Sequence, residues 1–137
     1  MTAADAPWLA TPIAAHIWQT KYRWMRGGRA QEDGVDDTWR RVAGTAASVE
    51  PAGPGSWEAR FYEVLQGFRF LPGGRILAGA GTDRHVTLFN CFVMGLIEDD
   101  MAGIFEALKE GALTMQAGGG VGYDFSTLRP GNSLSLI

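Results

Sequence analysis

Cys91 is the lone cysteine among 137 residues, and it sits in the apolar run Thr87-Leu-Phe-Asn-Cys-Phe-Val-Met94. A thiol on a strand can act as a nucleophile or as half of a redox pair, and with no second cysteine it forms no intrachain disulfide. Downstream lies Ala117-Gly-Gly-Gly-Val-Gly122, which leads into Tyr123-Asp-Phe-Ser-Thr-Leu-Arg-Pro130. Four of the five residues from Gly118 to Gly122 are glycine, more than one helix cap requires. Such a loop lets backbone approach a ligand closely and touch it through its own amides. Strand-borne thiol, intervening helix and glycine loop together read as a site.

Each part has a plainer reading. The glycines can be a helix C-cap with tight packing beside it. A single cysteine can be a small buried hydrophobe. Asp99 and Asp100 can be helix caps, and Arg129 a solvated loop residue. Phosphate-binding loops are excluded by order: they place glycines after a strand and before a helix. Here the glycines follow a helix and precede a strand, and no Lys-Ser/Thr pair comes after them.

The elements that must position this site follow from periodicity. Thr87–Met94 is β-branched and aromatic, apolar on both faces, and predicts a buried parallel strand. Glu98-Asp-Asp100 opens a helix to about Gln116, with Ile104, Leu108, Gly111 or Ala112 and Met115 on one stripe. Val121–Phe125 predicts a second strand. Strand, helix, strand is a βαβ unit with a parallel pair and a right-handed crossover.

Upstream the texture is helical. Residues from about Pro12 to Met25 predict a helix ended by Gly27-Gly28. Arg29 to Gly34 reads as a polar link. Val35–Ala43 predicts a helix capped by Asp36 or Asp37, with Trp39 and Val42 or Ala43 inward and Arg40 and Arg41 toward water. After the break at Pro51–Ser56, Ser56 is expected to cap a third helix, Trp57–Gly67, whose apolar positions are Phe61, Val64, Leu65 and Phe68. Leu71–Thr82 is expected to lack regular structure. Trp18, Trp24, Trp39 and Trp57 read as core or domain-contact residues, and His16 and His85 receive no role.

Composition sets outer bounds. The chain is 46% hydrophobic and 20% charged with net charge −3, ordinary for a folded domain and without the basic excess of a nucleic-acid or anionic-membrane binder. No apolar run is long enough to span a bilayer, and Met1–Trp8 lacks the pattern of a secretory signal. A cytoplasmic location is expected.

The combined motifs resemble the start of a ribonucleotide reductase large subunit. Phe68-Arg-Phe-Leu-Pro72, Asn90-Cys-Phe-Val93, Asp99-Asp-Met-Ala-Gly-Ile104 and Gly118–Pro130 carry the resemblance, in the family's order and separations. Ile17-Trp-Gln-Thr-Lys-Tyr-Arg23 and Asp37-Thr-Trp-Arg-Arg-Val42 resemble the adenosylcobalamin-dependent, class II branch. The resemblance implies an α/β fold: a helical subdomain over residues 1–68, then, over 69–137, the first βαβ unit of a ten-stranded α/β barrel. It implies that Cys91 is one member of the dithiol that reduces the ribose. Asn90, Cys91, Gly119 and Gly120 would hold the ribonucleotide substrate. Asp99, Asp100, Met101 and Arg129 would hold a deoxynucleotide or ATP effector. A thioredoxin-type reductant, a homodimer and adenosylcobalamin are implied for the whole enzyme, the cofactor's binding region lying outside this stretch.

One departure shapes the expectation. The ending Gly131-Asn-Ser-Leu-Ser-Leu-Ile137 is unlike the family's continuation, and neither the radical cysteine nor the second dithiol cysteine is present. The 137-residue chain is therefore expected to be an inactive fragment, split-gene piece or truncated product. A non-catalytic helical or nucleotide-binding interaction module, or a truncated remnant, is the alternative.

Overall fold

A computed structural model describes residues 9–51 and 53–131, with the side chain of Pro54 excepted. The readings of Met1–Trp8 and of the stretch after Gly131 lie outside the described residues. The chain divides into two compact units that part between Leu88 and Phe89.

The first unit is helical. Helix α1 (Pro12–Ile17) starts at Thr11, whose Oγ1 accepts the Ala14 N–H at 3.2 Å, with proline in the first turn. It runs on as a π-helical turn over Trp18–Tyr22. Helix ends there rather than at Met25. Met25–Arg26 (β1) and Arg29–Ala30 (β2) instead form an antiparallel hairpin, in register Met25↔Ala30 and Arg26↔Arg29. Gly27 and Gly28, with φ of +55° and +78°, are its two-residue turn, not a helix stop. Two adjacent residues at positive φ are what such a turn demands, and only glycine takes both without strain.

Helix α2 (Val35–Ala47) buries Val35, Thr38, Trp39, Val42, Ala43 and Ala47, a stripe at i, i+3, i+4, i+7, i+8 and i+12. Its N-cap is Gly34, while Asp37 sits in the first turn and reaches back. Asp37 Oδ2 accepts the N–H groups of Asp33 (2.8 Å) and Gly34 (3.2 Å), so the expected cap residue acts one turn inside. Helix α3 (Pro54–Leu65) is likewise entered through a glycine, Gly53 at φ +62°, rather than through Ser56. The Ser56 hydroxyl donates to Gly53 O at 2.8 Å. A 3-10 turn (Gln66–Phe68) follows, where Phe68 adopts φ +57° and sets its ring edge-on to Trp39, centroids 5.2 Å apart. Within the predicted irregular stretch lies a fourth helix, α4 (Gly74–Gly79), which buries Leu77. It packs with α2 and the π-helical turn, so residues 69–88 belong with the helices and not with the strands.

Trp18, Trp39, Val42, Ala43, Leu65 and Leu77 form the centre of this core. Burying a large apolar side chain stabilises by about 1.5–3 kcal/mol. The Trp18 indole is satisfied inside, Nε1–H donating to Thr38 Oγ1 at 3.0 Å. Arg41 does not face water. Its side chain is 8% exposed and pairs with Glu32, 2% exposed, at 2.8 Å. Its remaining donors reach Leu77 O at 2.9 Å and Ala80 O. Glu32 Oε2 also accepts the Trp24 N–H at 2.7 Å. One ion pair therefore ties the hairpin to α2 and to the end of α4.

The second unit holds β3 (Cys91–Val93), α5 (Met101–Gln116) and β4 (Gly120–Gly122). The strands are parallel, as the βαβ reading requires, but shorter than predicted. Among the described residues they pair only with each other and close no barrel. The face of β3 that carries Cys91 and Val93 is open while Phe92 on the other face is half-buried, so the expected burial on both faces is absent: Cys91 is exposed, and Val93 is 93% exposed. On α5 the buried positions are Ala107 and Gly111, while Leu108 and Met115 of the predicted stripe stand exposed. No helix among the described residues is long and apolar enough to cross a membrane.

Candidate functional site

The site is built by the way α5 begins and ends. Asp100 caps it, its Oδ1 accepting the Gly103 N–H at 2.7 Å. At the far end Gly118 takes φ +88°, its N–H donating to Met115 O at 2.9 Å, while the Gly119 N–H donates to Thr114 O at 3.0 Å. That pair of bonds is a complete Schellman stop, and it reverses the chain into β4. Gly111 lies beneath the Tyr123 ring, so close that a side chain there would collide with the phenol oxygen. Tyr123 OH donates to Ala107 O at 3.3 Å, pinning the residue after β4 to the helix.

The turn delivers β4 beside the cysteine strand in the register Cys91↔Gly120, Phe92↔Val121, Val93↔Gly122. The Gly120 N–H donates to Asn90 O at 2.7 Å, and Met94 N–H to Gly122 O at 3.0 Å. A Cβ placed on Gly120 would stand 3.4 Å from Cys91 Sγ and 3.5 Å from Asn90 O. Asn90, Cys91 and Gly120 are thus brought to one place. Gly119 is beside them but turned inward: a Cβ there would meet Phe92 Cε2 at 2.6 Å and Thr114 Cγ2 at 2.9 Å.

The glycines therefore divide their work. Gly118 satisfies the helix stop and Gly119 makes room for Phe92. Gly120 keeps the space over the sulfur clear, and nothing lies within 4 Å of a Cβ on Gly122. The expected cradle of free amides is not what forms. The N–H groups of Gly118, Gly119 and Gly120 are all engaged within the chain, because helix stop and strand pairing use them. What the loop offers a ligand is a bare surface at the thiol. The ring of Phe92, which sets the depth of Gly119, is a positioning contact that periodicity alone does not single out.

The other predicted group lies at the opposite end of α5. Asp99 and Arg129 come together: Arg129 Nε–H donates to Asp99 Oδ2 at 2.6 Å, and a terminal N–H donates to Asp99 O at 2.7 Å. Asp100 is occupied as the cap, and Met101 is 68% exposed. The loop between β4 and Arg129 is held by Thr127 Oγ1–H on Ile97 O at 2.6 Å. The Ser126 N–H, on Asp124 Oδ1 at 2.9 Å, holds that carboxyl below its ordinary value. Beside these residues an apolar cavity of about 180 Å³ is lined by Ile97, Ile104, Leu108, Tyr123 and Phe125. Among the described residues no group of three or more His, Cys, Asp or Glu could hold a metal ion.

These features define a class. Residues 9–85 match the family described as "Ribonucleotide reductase, all-alpha domain", and residues 89–135 match "Ribonucleotide reductase, barrel domain". The chain belongs to the ribonucleotide reductase large-subunit family. It is 41% identical over 96 residues to a vitamin B12-dependent ribonucleoside-diphosphate reductase of Mycobacterium tuberculosis, covering 70% of this chain and 14% of that protein. A second enzyme of that name, from Thermoplasma acidophilum, is 35% identical over 103 residues, 75% of this chain and 13% of its own length. The ribonucleoside-diphosphate reductase subunit alpha of Helicobacter pylori is 41% identical over 76 residues, 56% of this chain and 9% of the relative. The chain thus spans about a seventh of the first relative's length.

Proposed function

We propose that these residues supply the helical domain and first strand–helix–strand unit of a ribonucleotide reductase, acting on ribonucleotides to give 2′-deoxyribonucleotides for DNA synthesis and repair. The names of the relatives favour diphosphates as substrates. The observation that carries the reading is the register Cys91↔Gly120, which leaves an exposed thiol beside a surface without side chains. In this proposal the ribose lies against Asn90, Cys91, Gly119 and Gly120. Asp99, Asp100, Met101 and Arg129 receive a deoxynucleotide or ATP effector, the guanidinium turning from Asp99 to phosphate.

The chemistry must balance. Replacing a ribose hydroxyl by hydrogen releases water and takes two electrons. Two thiols provide these by closing to a disulfide, and a third cysteine carries the radical that starts the reaction. Cys91 is one thiol. The chain therefore works as part of a larger assembly, with the second dithiol cysteine and the radical cysteine supplied by other residues. Alone it produces no deoxynucleotide.

Adenosylcobalamin enters the proposal through the relatives' names. The apolar cavity of the helical unit lined by Trp18, Trp39 and Leu77 is about 270 Å³, below the ~300–1,000 Å³ of sites for drug-sized ligands, and does not fit a corrin. A thioredoxin-type reductant, a homodimer and a cytoplasmic setting complete the proposal.

The test is a chimera in which residues 9–131 replace their counterpart in the Mycobacterium tuberculosis reductase. Deoxynucleotide formation should persist, and Cys91→Ser should abolish it. A chimera that stays equally active with serine at that position overturns the assignment.

A further inference from the structure

From Leu9 to Gln31 the chain has four of its 12 Lys and Arg residues and none of its 15 Asp and Glu. The hairpin concentrates that imbalance. Its two-residue turn sets Arg26 directly opposite Arg29, so both guanidinium groups rise from one face. Cβ atoms of directly opposed residues stand about 4.5–5.5 Å apart, and like charges there destabilise the pair. The period of two places Trp24 and Gln31 on the same face, joined by Gln31 N–H on Trp24 O at 2.9 Å.

Neutralisation of this face is incomplete. Asp83 Oδ2 lies 3.3 Å from Arg26 Nε, in a pair 67% and 49% exposed, and its other oxygen accepts the Trp24 indole N–H at 3.0 Å. Among the described residues no carboxylate lies within ion-pair distance of Arg29, which is exposed. Glu32, the nearest acid along the strand, is buried against Arg41.

We infer that the face carrying Trp24, Arg26, Arg29 and Gln31 is a docking surface for a carboxylate-bearing segment of a partner polypeptide. A carboxylate bridging the two arginines relieves their repulsion, and the planar guanidinium fork suits it in paired hydrogen bonds. Nucleic acid fits less well: duplex binding neutralises many phosphates along a track, and the chain's net charge is −3. An anionic membrane fits less well too, since it calls for clusters of about 4–8 basic residues. The inference is independent of the reductase reading.

The experiment uses the full chain and a fluorescein-labelled peptide of six glutamates, read by fluorescence anisotropy at low and physiological salt. Saturable binding is expected, weakened about tenfold by Arg29→Glu and unchanged by Arg60→Glu, which makes the same charge change on α3. Arg29→Gln, which removes charge without reversing it, should weaken binding about threefold and guards against misfolding of the reversal variant. Absence of saturable binding, equal weakening by Arg60→Glu, or tighter binding of oligothymidylate than of the peptide overturns the inference.

Discussion

Cys91 Sγ stands 3.4 Å from the point where a side chain on Gly120 would begin, and Gly119, one residue earlier, faces the Phe92 ring instead. Neighbouring glycines in one loop thus meet opposite surroundings. Alanine substitution should separate them. Gly119→Ala forces Phe92 or β4 to move and should destabilise the second unit by about 1–3 kcal/mol. Gly118→Ala, at φ +88°, should cost about 1–2 kcal/mol through backbone strain. Gly122→Ala should be near neutral. Gly120→Ala should leave amide exchange in β4 unchanged while slowing alkylation of Cys91. Hydrogen exchange and thiol labelling of the same four variants check the order.

The buried Arg41–Glu32 pair predicts a large effect from a position that reads as surface. Glu32→Ala leaves the guanidinium buried with only the two carbonyls as partners, and should destabilise the helical unit by about 3–5 kcal/mol. Exposed Arg40→Ala should cost well under half as much. Urea denaturation followed by helical circular dichroism measures both.

Asp83 gives a pH prediction. The Trp24 indole N–H, with Arg26 and Arg84 adding to it, holds the Asp83 carboxyl below its ordinary value. A folded-state pKa lowered below the unfolded one contributes stability above the unfolded value and loses it as pH falls through the folded one. The Trp24 indole signal in nitrogen-15 spectra should therefore keep its position through the ordinary aspartate range, about pH 3.9, and shift only below it. Asp83→Ala should remove that acid step. A shift beginning above the ordinary range contradicts the geometry.

The Asp99–Arg129 pair is 35% and 41% exposed at its side chains, so it contributes about 0.2–1 kcal/mol at most. Arg129→Gln should barely alter thermal unfolding. In the chimera the same substitution should weaken effector control of substrate choice while leaving basal turnover within about twofold. Unchanged effector response removes Arg129 from the proposed effector group.

The βαβ unit was legible because its signals are local and redundant: acids before α5, excess glycine after it, β-branched and aromatic residues around Cys91. The burial of β3 was not, since apolar content on two faces predicts neighbours that the described residues do not contain. Periodicity puts Arg41 beside Arg40 on the outer face, and only the fold brings Glu32 and two carbonyls to its side chain. Gly27-Gly28 reads as a helix stop from letters alone, and only pairing across the turn shows the hairpin. Helix α4 leaves no periodic signal because it is only six residues long and begins and ends in glycine.

The most direct test of the account is single-turnover thiol trapping in the chimera, without external reductant. If Cys91 is half of the reducing pair, one Cys91-containing disulfide should form for each deoxynucleotide made, and the alkylated Cys91 peptide should decline in step. Product formation with Cys91 still fully alkylatable would contradict the assignment.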